Sequence, residues 1–289
     1  MIYLLFVSLL WAFSFGLIKG ILTGVDSFFV SFVRLFLPLL LFLPFLRFKK
    51  FSRQTAIRLF FIGMLQYGLM YITYIYSFQF LKAYEVALFT IFTPLYVALL
   101  YDVLQKRFTP RHVLVALLTI LGTAIVVWQD LERENLWLGF FVVQLSNVAF
   151  AAGQVVYKKV MQKLPQVRDL DVFGMLYAGG VVITLLAAGV FTNWGTLQVS
   201  STQWMTLVYL GLVASGLGFF LWNVGVRKVN IGALAVFNNL KIPLATAVSL
   251  LFFGEKTDWR TLLIGGAIII LALLFNEWQM GKTKEALAE

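Results

Sequence analysis

The chain contains no cysteine and one histidine, His112, among its 289 residues. Without cysteine it can form neither a disulfide framework nor a thiolate metal site. Charged residues make up only 12% of the chain, against about 25% in soluble globular domains. An enzyme would need a nucleophile–base pair, paired carboxylates or a metal cluster, and the sequence shows none of these. We therefore expect neither an enzyme nor a bound cofactor.

Apolar sequence is what the chain has in excess. Hydrophobic residues make up 61% of it, and the mean hydropathy is +0.90. A bilayer core of about 30 Å requires about 20 apolar residues per helix, and the sequence contains ten such runs. The predicted helices span 2–22, 27–46, 57–80, 84–104, 110–128, 136–157, 172–191, 203–225, 232–253 and 259–277. The fold class that we expect is an all-α membrane protein with ten transmembrane helices.

The basic residues that produce the net charge of +10 are concentrated in the predicted connections between helices. Sixteen of the 23 Lys and Arg residues lie in alternate connections and in the C-terminal tail. Four lie on the opposite side: Lys82, Arg133, Lys256 and Arg260. The positive-inside rule then places both termini in the cytoplasm, with the chain in a bacterial inner membrane. This distribution predicts membrane lipids as partners and no nucleic acid.

Three cations, Lys19, Arg34 and Lys241, lie inside predicted helices, where none of the 13 acidic residues is found at depth. A charge in the bilayer core costs at least about 2.5–3.5 kcal/mol and usually faces a cavity or a partner. Lys241 lies near the middle of its helix, which favours binding of an anionic substrate over contact with free carbonyls or a neutral amine. Arg34 allows an ion pair with Asp26, snorkelling, or substrate binding. Lys19 is expected at the interface.

Short motifs recur in the same order in the two halves of the chain. AFSFG, which begins at Ala12, corresponds to AFAAG, which begins at Ala149, and LFTIFTPL corresponds to FNNLKIPL. Five helices per half place the halves in opposite orientations across the membrane. The sequence therefore predicts two inverted repeats, at 1–133 and 134–289.

Each copy of the second motif contains a proline, Pro94 or Pro243. A proline inside a helix leaves the carbonyl four residues earlier without its donor, and these carbonyls belong to Thr90 and Asn239. Interrupted helices at corresponding positions of two repeats indicate a substrate site. Bends that serve only helix packing are the alternative interpretation.

Neutral polar and aromatic residues complete the predicted substrate site. Asn238 and Asn239 offer amide donors and acceptors that suit an amide or ureido group, although asparagines also hold membrane helices together. Tyr67, Tyr71 and Tyr74 share one helix face, which indicates either a ligand wall or packing. The remaining candidates are Asn147, Trp222 and Asn223.

Four segments carry a family resemblance: LLWAFSFGLIK, FFVSFVRLFLPLLLF, YLGLVASGLGFFLWNVGVRKVNIGAL and LFFGEKTDW. With them the chain resembles the drug/metabolite transporter superfamily in its ten-helix EamA branch, over essentially its whole length. LLWAFSF, FTIFTPLYVALLYD, VVQLSNVAFA and the paired asparagines look most like biotin-transporting members of the carboxylate/amino acid/amine group. The resemblance implies a central cavity between the two halves, lined by helices one to four and six to nine.

The function that the resemblance implies is secondary transport of a small organic anion by alternating access, with biotin uptake expected. Export of amino acids or related metabolites is the alternative. Entry of an anion opposes an inside-negative potential by about 2.3 kcal/mol per 100 mV. We therefore expect Lys241 to bind the carboxylate and to act as the coupling residue that carries a proton. The chain could work as a monomer or as a dimer.

Overall fold

The computed structural model describes residues 2–106 and 134–229, together with scattered positions within 110–125 and 234–278. Seven helices in the described part are long and apolar enough to cross a membrane. They are α1 (Ile2–Ile21), α2 (Ser27–Phe45), α3 (Arg53–Ser77), α4 (Ala83–Leu104), α5 (Leu136–Gln162), α6 (Asp169–Phe191) and α7 (Ser201–Lys228). No strand occurs among these residues. The predicted helices 110–128, 232–253 and 259–277 fall largely outside the described residues.

Apolar and polar side chains are distributed as in a protein that is embedded in a lipid bilayer. Phe6, Leu9 and Phe13 on α1 have 52%, 47% and 44% of their surface exposed. Polar side chains such as Arg34 and Gln66 are buried instead. Because apolar surface faces outward and polar groups face inward, the chain is a multi-pass membrane protein.

Capping side chains explain where several helices begin. Ser52 accepts a hydrogen bond from the backbone N–H of Thr55, so α3 begins at Arg53 rather than at the predicted residue 57. Asp26 caps α2 by accepting from the Phe29 N–H at 2.8 Å. Polar helix ends such as these are invisible to a search for apolar runs, which is why the predicted α3, α6 and α7 begin too late and the predicted α5 and α7 end too early.

Three helices depart from regular α-geometry near the middle of the bundle. α3 contains a π-helical segment at Met64–Leu69, and α7 contains another at Leu210–Leu217. α4 tightens into a 3₁₀ turn at Thr90–Phe92, which confirms that this helix is interrupted before Pro94. The Thr90 carbonyl is not left free, however, because it accepts the Thr93 N–H.

α3 and α6 approach so closely that their backbones touch. A Cβ atom added at Gly63 would lie 1.9 Å from the carbonyl oxygen of Leu176 on α6. A Cβ atom at Gly179 would lie 1.9 Å from the carbonyl oxygen of Phe60 on α3. Small residues allow this kind of approach in membrane bundles. The contact joins a helix of the first predicted repeat to a helix of the second.

Ion pairs gather at the end of the bundle where α6 begins. Asp171 is fully buried and bonds to Lys50 at 2.8 Å and to Arg168 at 2.9 Å. Asp169 pairs with Arg227 at the end of α7 at 2.7 Å. These contacts tie α6 to α7 and to the connection between α2 and α3. We refer to this end as the ion-paired end.

Candidate functional site

A cavity lies between the helices of the bundle. Six of the seven described helices, all but α6, contribute to its wall. The lining residues are Trp11, Ser14, Phe15, Arg34, Met70, Tyr71, Tyr74, Thr90, Thr93, Ser146, Asn147, Phe150 and Phe219. The cavity therefore has a mixed aromatic and polar lining with one cation.

Arg34 is the cation of this cavity, although only 2% of its surface is exposed. Its Nη2 donates to the hydroxyl of Tyr71 at 2.7 Å, and its Nε donates to Oγ of Ser215 at 3.3 Å. Asp26 is engaged elsewhere, with the Phe29 N–H and with Thr192. Among the described residues Nη1 has no hydrogen-bond partner. The ion pair and the snorkelling interpretation of Arg34 are therefore wrong, and Arg34 lines the cavity with one guanidinium nitrogen left unbonded among the described residues.

The hydrogen bonds around Arg34 have one consistent direction. Oγ of Ser215 donates to the Leu210 carbonyl at 2.7 Å, within the π-helical segment of α7. The Tyr71 hydroxyl lies 2.8 Å from the same Oγ. Since the Ser215 proton is engaged with Leu210, Tyr71 donates to Ser215 and accepts from Arg34. Tyr177 supports this segment by donating to the carbonyls of Ser215 and Gly216 at 2.8 and 3.0 Å.

A second polar surface of the cavity, the α4/α5 wall, consists of Thr90 and Thr93 on α4 with Ser146 and Asn147 on α5. Thr93 donates to Oδ1 of Asn147 at 3.2 Å. Nδ2 of Asn147 donates to the Phe89 carbonyl at 2.8 Å, and to Gln144. Thr90 donates to the Ala87 carbonyl and Ser146 donates to the Met70 carbonyl. The side chains of this wall are thus held in fixed orientations by the protein.

Aromatic rings complete the cavity. Trp11 packs edge-on against Phe219 and Phe150, with ring centroids 5.1 and 6.1 Å apart. Phe15 and Tyr74 form another edge-on pair at 5.8 Å. The rings supply flat apolar surface between the polar groups, as a ligand of mixed polarity requires.

One helical turn nearer the ion-paired end lies a deep polar layer of Gln66, Tyr67, Gln154, Trp222 and Asn223, all with 0% exposure. Gln66 donates to Asn223 at 3.1 Å, and Asn223 donates to Tyr67 at 2.8 Å. Trp222 donates to Gln154 at 3.4 Å. None of these side chains is in the wall described above. The layer separates the cavity from the ion-paired end.

The chain matches the EamA-like transporter family at residues 1–128 and 137–277. These two segments cover most of the chain. The chain belongs to the EamA-like transporter family. It is therefore a transporter and not an enzyme, as the sequence predicts.

Two bacterial relatives of this family are similar over nearly their whole length. A "Probable biotin transporter" of Pseudomonas aeruginosa is 40% identical over 276 residues, 95% of this chain and 96% of the relative. The "Biotin transporter" of Escherichia coli K12 is 37% identical over 277 residues, 95% of this chain and 92% of the relative. A protein crystal structure with 17% identity superposes with a TM-score of 0.64 over 92% of this chain and 95% of that one. That likeness shows a shared fold.

The structure brings together five of the predicted site residues in this EamA-family chain: Arg34, Tyr71, Tyr74, Thr90 and Asn147. It places Tyr67, Trp222 and Asn223 in the deep polar layer. Asn238 is also fully buried and donates to the Leu234 carbonyl at 3.0 Å. The predicted residues Lys241 and Asn239 lie outside the described residues.

Several cavity residues did not appear among the predictions. Thr93 and Ser146 were not predicted, because single hydroxyl residues are common in apolar helices. Trp11, Phe15 and Phe150 could have been found, since they lie within or beside the AFSFG and AFAAG motifs. Lys19, half-buried at the end of α1, donates to the Phe78 carbonyl at 2.6 Å and is not in the cavity wall.

Proposed function

We propose that this chain is a secondary transporter that takes up biotin by alternating access. The observation that carries the proposal is the guanidinium of Arg34, which lines the cavity and retains an unbonded Nη1. Buried charged donors cost free energy unless they find a partner. A carboxylate entering the cavity would supply both the charge and the acceptor atoms that Nη1 lacks.

The chemistry of biotin corresponds to the three surfaces of the cavity. Biotin has a carboxylate, an apolar body and a ureido ring. Arg34 is suited to the carboxylate, and the rings of Trp11, Phe15 and Phe219 are suited to the body. The polar side chains of the α4/α5 wall are suited to the ureido ring. The biotin-transporter names of the two relatives support the same substrate.

The arrangement in the membrane that we propose has ten helices in two inverted repeats, 1–133 and 134–289, with both termini in the cytoplasm of a bacterial inner membrane. The two segments that match the family, 1–128 and 137–277, support this division. The charge distribution supports the orientation and puts the ion-paired end on the cytoplasmic side. The deep polar layer would then close the cavity toward the cytoplasm.

The proposed substrate anchor is tested by substituting Arg34. Arg34→Gln should reduce uptake of tritiated biotin into proteoliposomes by about 10- to 100-fold, because a hydrogen bond to a charged group contributes about 1.5–3 kcal/mol. Biotinol, which has an alcohol in place of the carboxylate, should be bound equally poorly by the parent and the variant. Arg58→Gln, at an exposed arginine of α3, is the matched control and should transport normally.

Undiminished biotin uptake by Arg34→Gln would refute the role of Arg34. Counterflow separates uptake of biotin from export of amino acids: vesicles loaded with unlabelled biotin should accumulate labelled biotin, and vesicles loaded with unlabelled amino acids should not accumulate labelled amino acids. Accumulation in the second case alone would replace biotin with amino acids as the substrate.

Lys241 stays our predicted coupling residue, and in this proposal Arg34 rather than Lys241 anchors the carboxylate. If it carries the proton that accompanies the carboxylate, Lys241→Met should abolish the dependence of biotin uptake on external pH while binding persists. The measurement is initial uptake at several external pH values with a fixed internal pH. An unchanged pH profile would rule out Lys241 as the proton carrier.

A further inference from the structure

The polar atoms of the α4/α5 wall have used all their hydrogens within the protein. The Thr90 and Ser146 hydroxyls each donate to a backbone carbonyl, at 2.7 and 3.1 Å. Thr93 donates to Asn147. A hydroxyl has one hydrogen and two lone pairs. Each of these hydroxyls therefore offers a ligand only lone pairs.

Asn147 also has no hydrogen left to donate to a ligand. Its two amide hydrogens are directed to the Phe89 carbonyl and to Oε1 of Gln144, at 2.8 and 3.1 Å. Gln144 in turn accepts from Tyr96 at 3.1 Å, which holds its oxygen toward Asn147. Oδ1 of Asn147 accepts one hydrogen bond from Thr93 and keeps a second lone pair. The amide thus also presents an acceptor to the cavity.

Arg34 has the opposite character, since a guanidinium has five N–H donors and no acceptor. Its hydrogen bonds run to Tyr71 on α3 and to Ser215 on α7. Among the described residues no hydrogen bond joins Arg34, Tyr71 or Ser215 to the α4/α5 wall. The cavity therefore has a donor side and an acceptor side that belong to separate hydrogen-bond networks.

We infer that the α4/α5 wall is an acceptor-only subsite that binds the N–H groups of a ureido ring, with the carboxylate of the same ligand at Arg34. This inference rests on the proposed function and names the residues that select the ring. A reversed ligand would set carboxylate oxygens against lone pairs and N–H groups against a guanidinium, leaving both ends unpaired. The wall fixes one orientation and rejects carboxylates that lack N–H groups.

The test compares three ligands that compete with tritiated biotin for the purified protein. Desthiobiotin keeps both the ureido ring and the carboxylate, whereas lipoate has a carboxylate and a ring without N–H groups. The parent should bind biotin and desthiobiotin at least about tenfold more tightly than lipoate, since a buried polar site rejects a ligand that leaves it unpaired.

The substitution that tests the wall is Thr93→Val, which removes a hydroxyl with little change of shape. It should weaken the binding of biotin and desthiobiotin by about five- to tenfold and change the binding of lipoate by less than about twofold, so that the selectivity for a ureido ring falls. Thr93→Ser, which keeps the hydroxyl, should restore the selectivity. Thr184→Val, at a buried threonine of α6 that donates to the Gly180 carbonyl away from the cavity, is the control and should keep the parental selectivity.

Each remaining outcome contradicts a different claim. Equal weakening of all three ligands by Thr93→Val, or equal binding of lipoate and desthiobiotin by the parent, would overturn the acceptor-only subsite and leave the proposed function intact. A parent that binds no biotin would overturn the proposed function and this subsite with it.

Discussion

The cavity and the deep polar layer are one helical turn apart, yet their polar groups are organised differently. In the deep layer polar side chains bond to one another, as Gln66 does to Asn223 and Asn223 does to Tyr67. In the cavity, side chains such as Thr90 and Ser146 bond to backbone carbonyls and keep lone pairs. The first arrangement joins α3 to α7, although among the described residues Oε1 of Gln66 and Nε2 of Gln154 have no hydrogen-bond partner, and the second leaves lone pairs on side chains that line the cavity. Polarity inside a membrane bundle therefore indicates a binding site only where the unused hydrogen-bonding capacity lines a cavity, as it does here, and not where it is fully buried as in the deep layer.

The largest effect on stability is expected in the deep layer. Asn223→Leu would leave Nε2 of Gln66 and the hydroxyl of Tyr67 without their partner, at a cost of about 2–4 kcal/mol. The midpoint of thermal unfolding in detergent should fall clearly, while the folded fraction keeps its preference for biotin over lipoate. Asn193→Leu, in the exposed connection before α7, is the control. A large loss of selectivity without loss of stability would assign Asn223 to the site instead.

A smaller effect is expected where the two regions meet. Tyr177 donates to the Ser215 and Gly216 carbonyls, and Ser215 accepts from Arg34. Tyr177→Phe should reduce stability by about 1 kcal/mol and weaken biotin binding about threefold, which is less than 1 kcal/mol. Calorimetric binding and thermal unfolding measure the two losses. Tyr209→Phe, at a partly exposed tyrosine of α7, should change neither the stability nor the binding. An equally large effect of Tyr209→Phe would show that the Tyr177 hydroxyl has no special role.

The smallest effect on stability is expected at the cation itself. Arg34→Gln removes two hydrogen bonds, but it also removes a buried charge that is in no ion pair among the described residues. The desolvation cost and the lost bonds oppose each other. The free energy of unfolding without ligand should change by less than about 1 kcal/mol, in contrast to the loss of uptake. A collapse of the folded state would mean that Arg34 supports the structure as Asn223 does.

Much of the fold was accessible from the sequence because the bilayer imposes a simple rule on length and polarity. The seven helices of the described part were all predicted, with errors at capped ends such as Ser52. Arg34, Thr90 and Asn147 were also found, because a charge, a proline-broken helix and an amide are conspicuous among apolar residues.

The tyrosine face shows why the rest was not accessible. Spacings of four and three place Tyr67, Tyr71 and Tyr74 on one face only if α3 is a regular helix. Its π-helical segment at Met64–Leu69 has wider turns with i→i+5 bonds, and Tyr67 lies below the cavity wall, where it stacks on Tyr177 at 5.4 Å and packs against Phe219 at 4.8 Å. Such a segment has no simple signature in residue type, and spacing alone cannot reveal it.

The backbone contact between α3 and α6 has a consequence for the tolerance of this chain to substitution. Lipid tails are as apolar as leucine, so apolar side chains gain little by leaving lipid for the seam between helices. The seam at Gly63 and Gly179 depends on close approach, and one added methyl group would collide with a carbonyl oxygen at either position. Replacements that would strengthen the interior of a water-soluble protein by filling space would here push two helices apart. At this seam the residues with the least side chain are the hardest to replace.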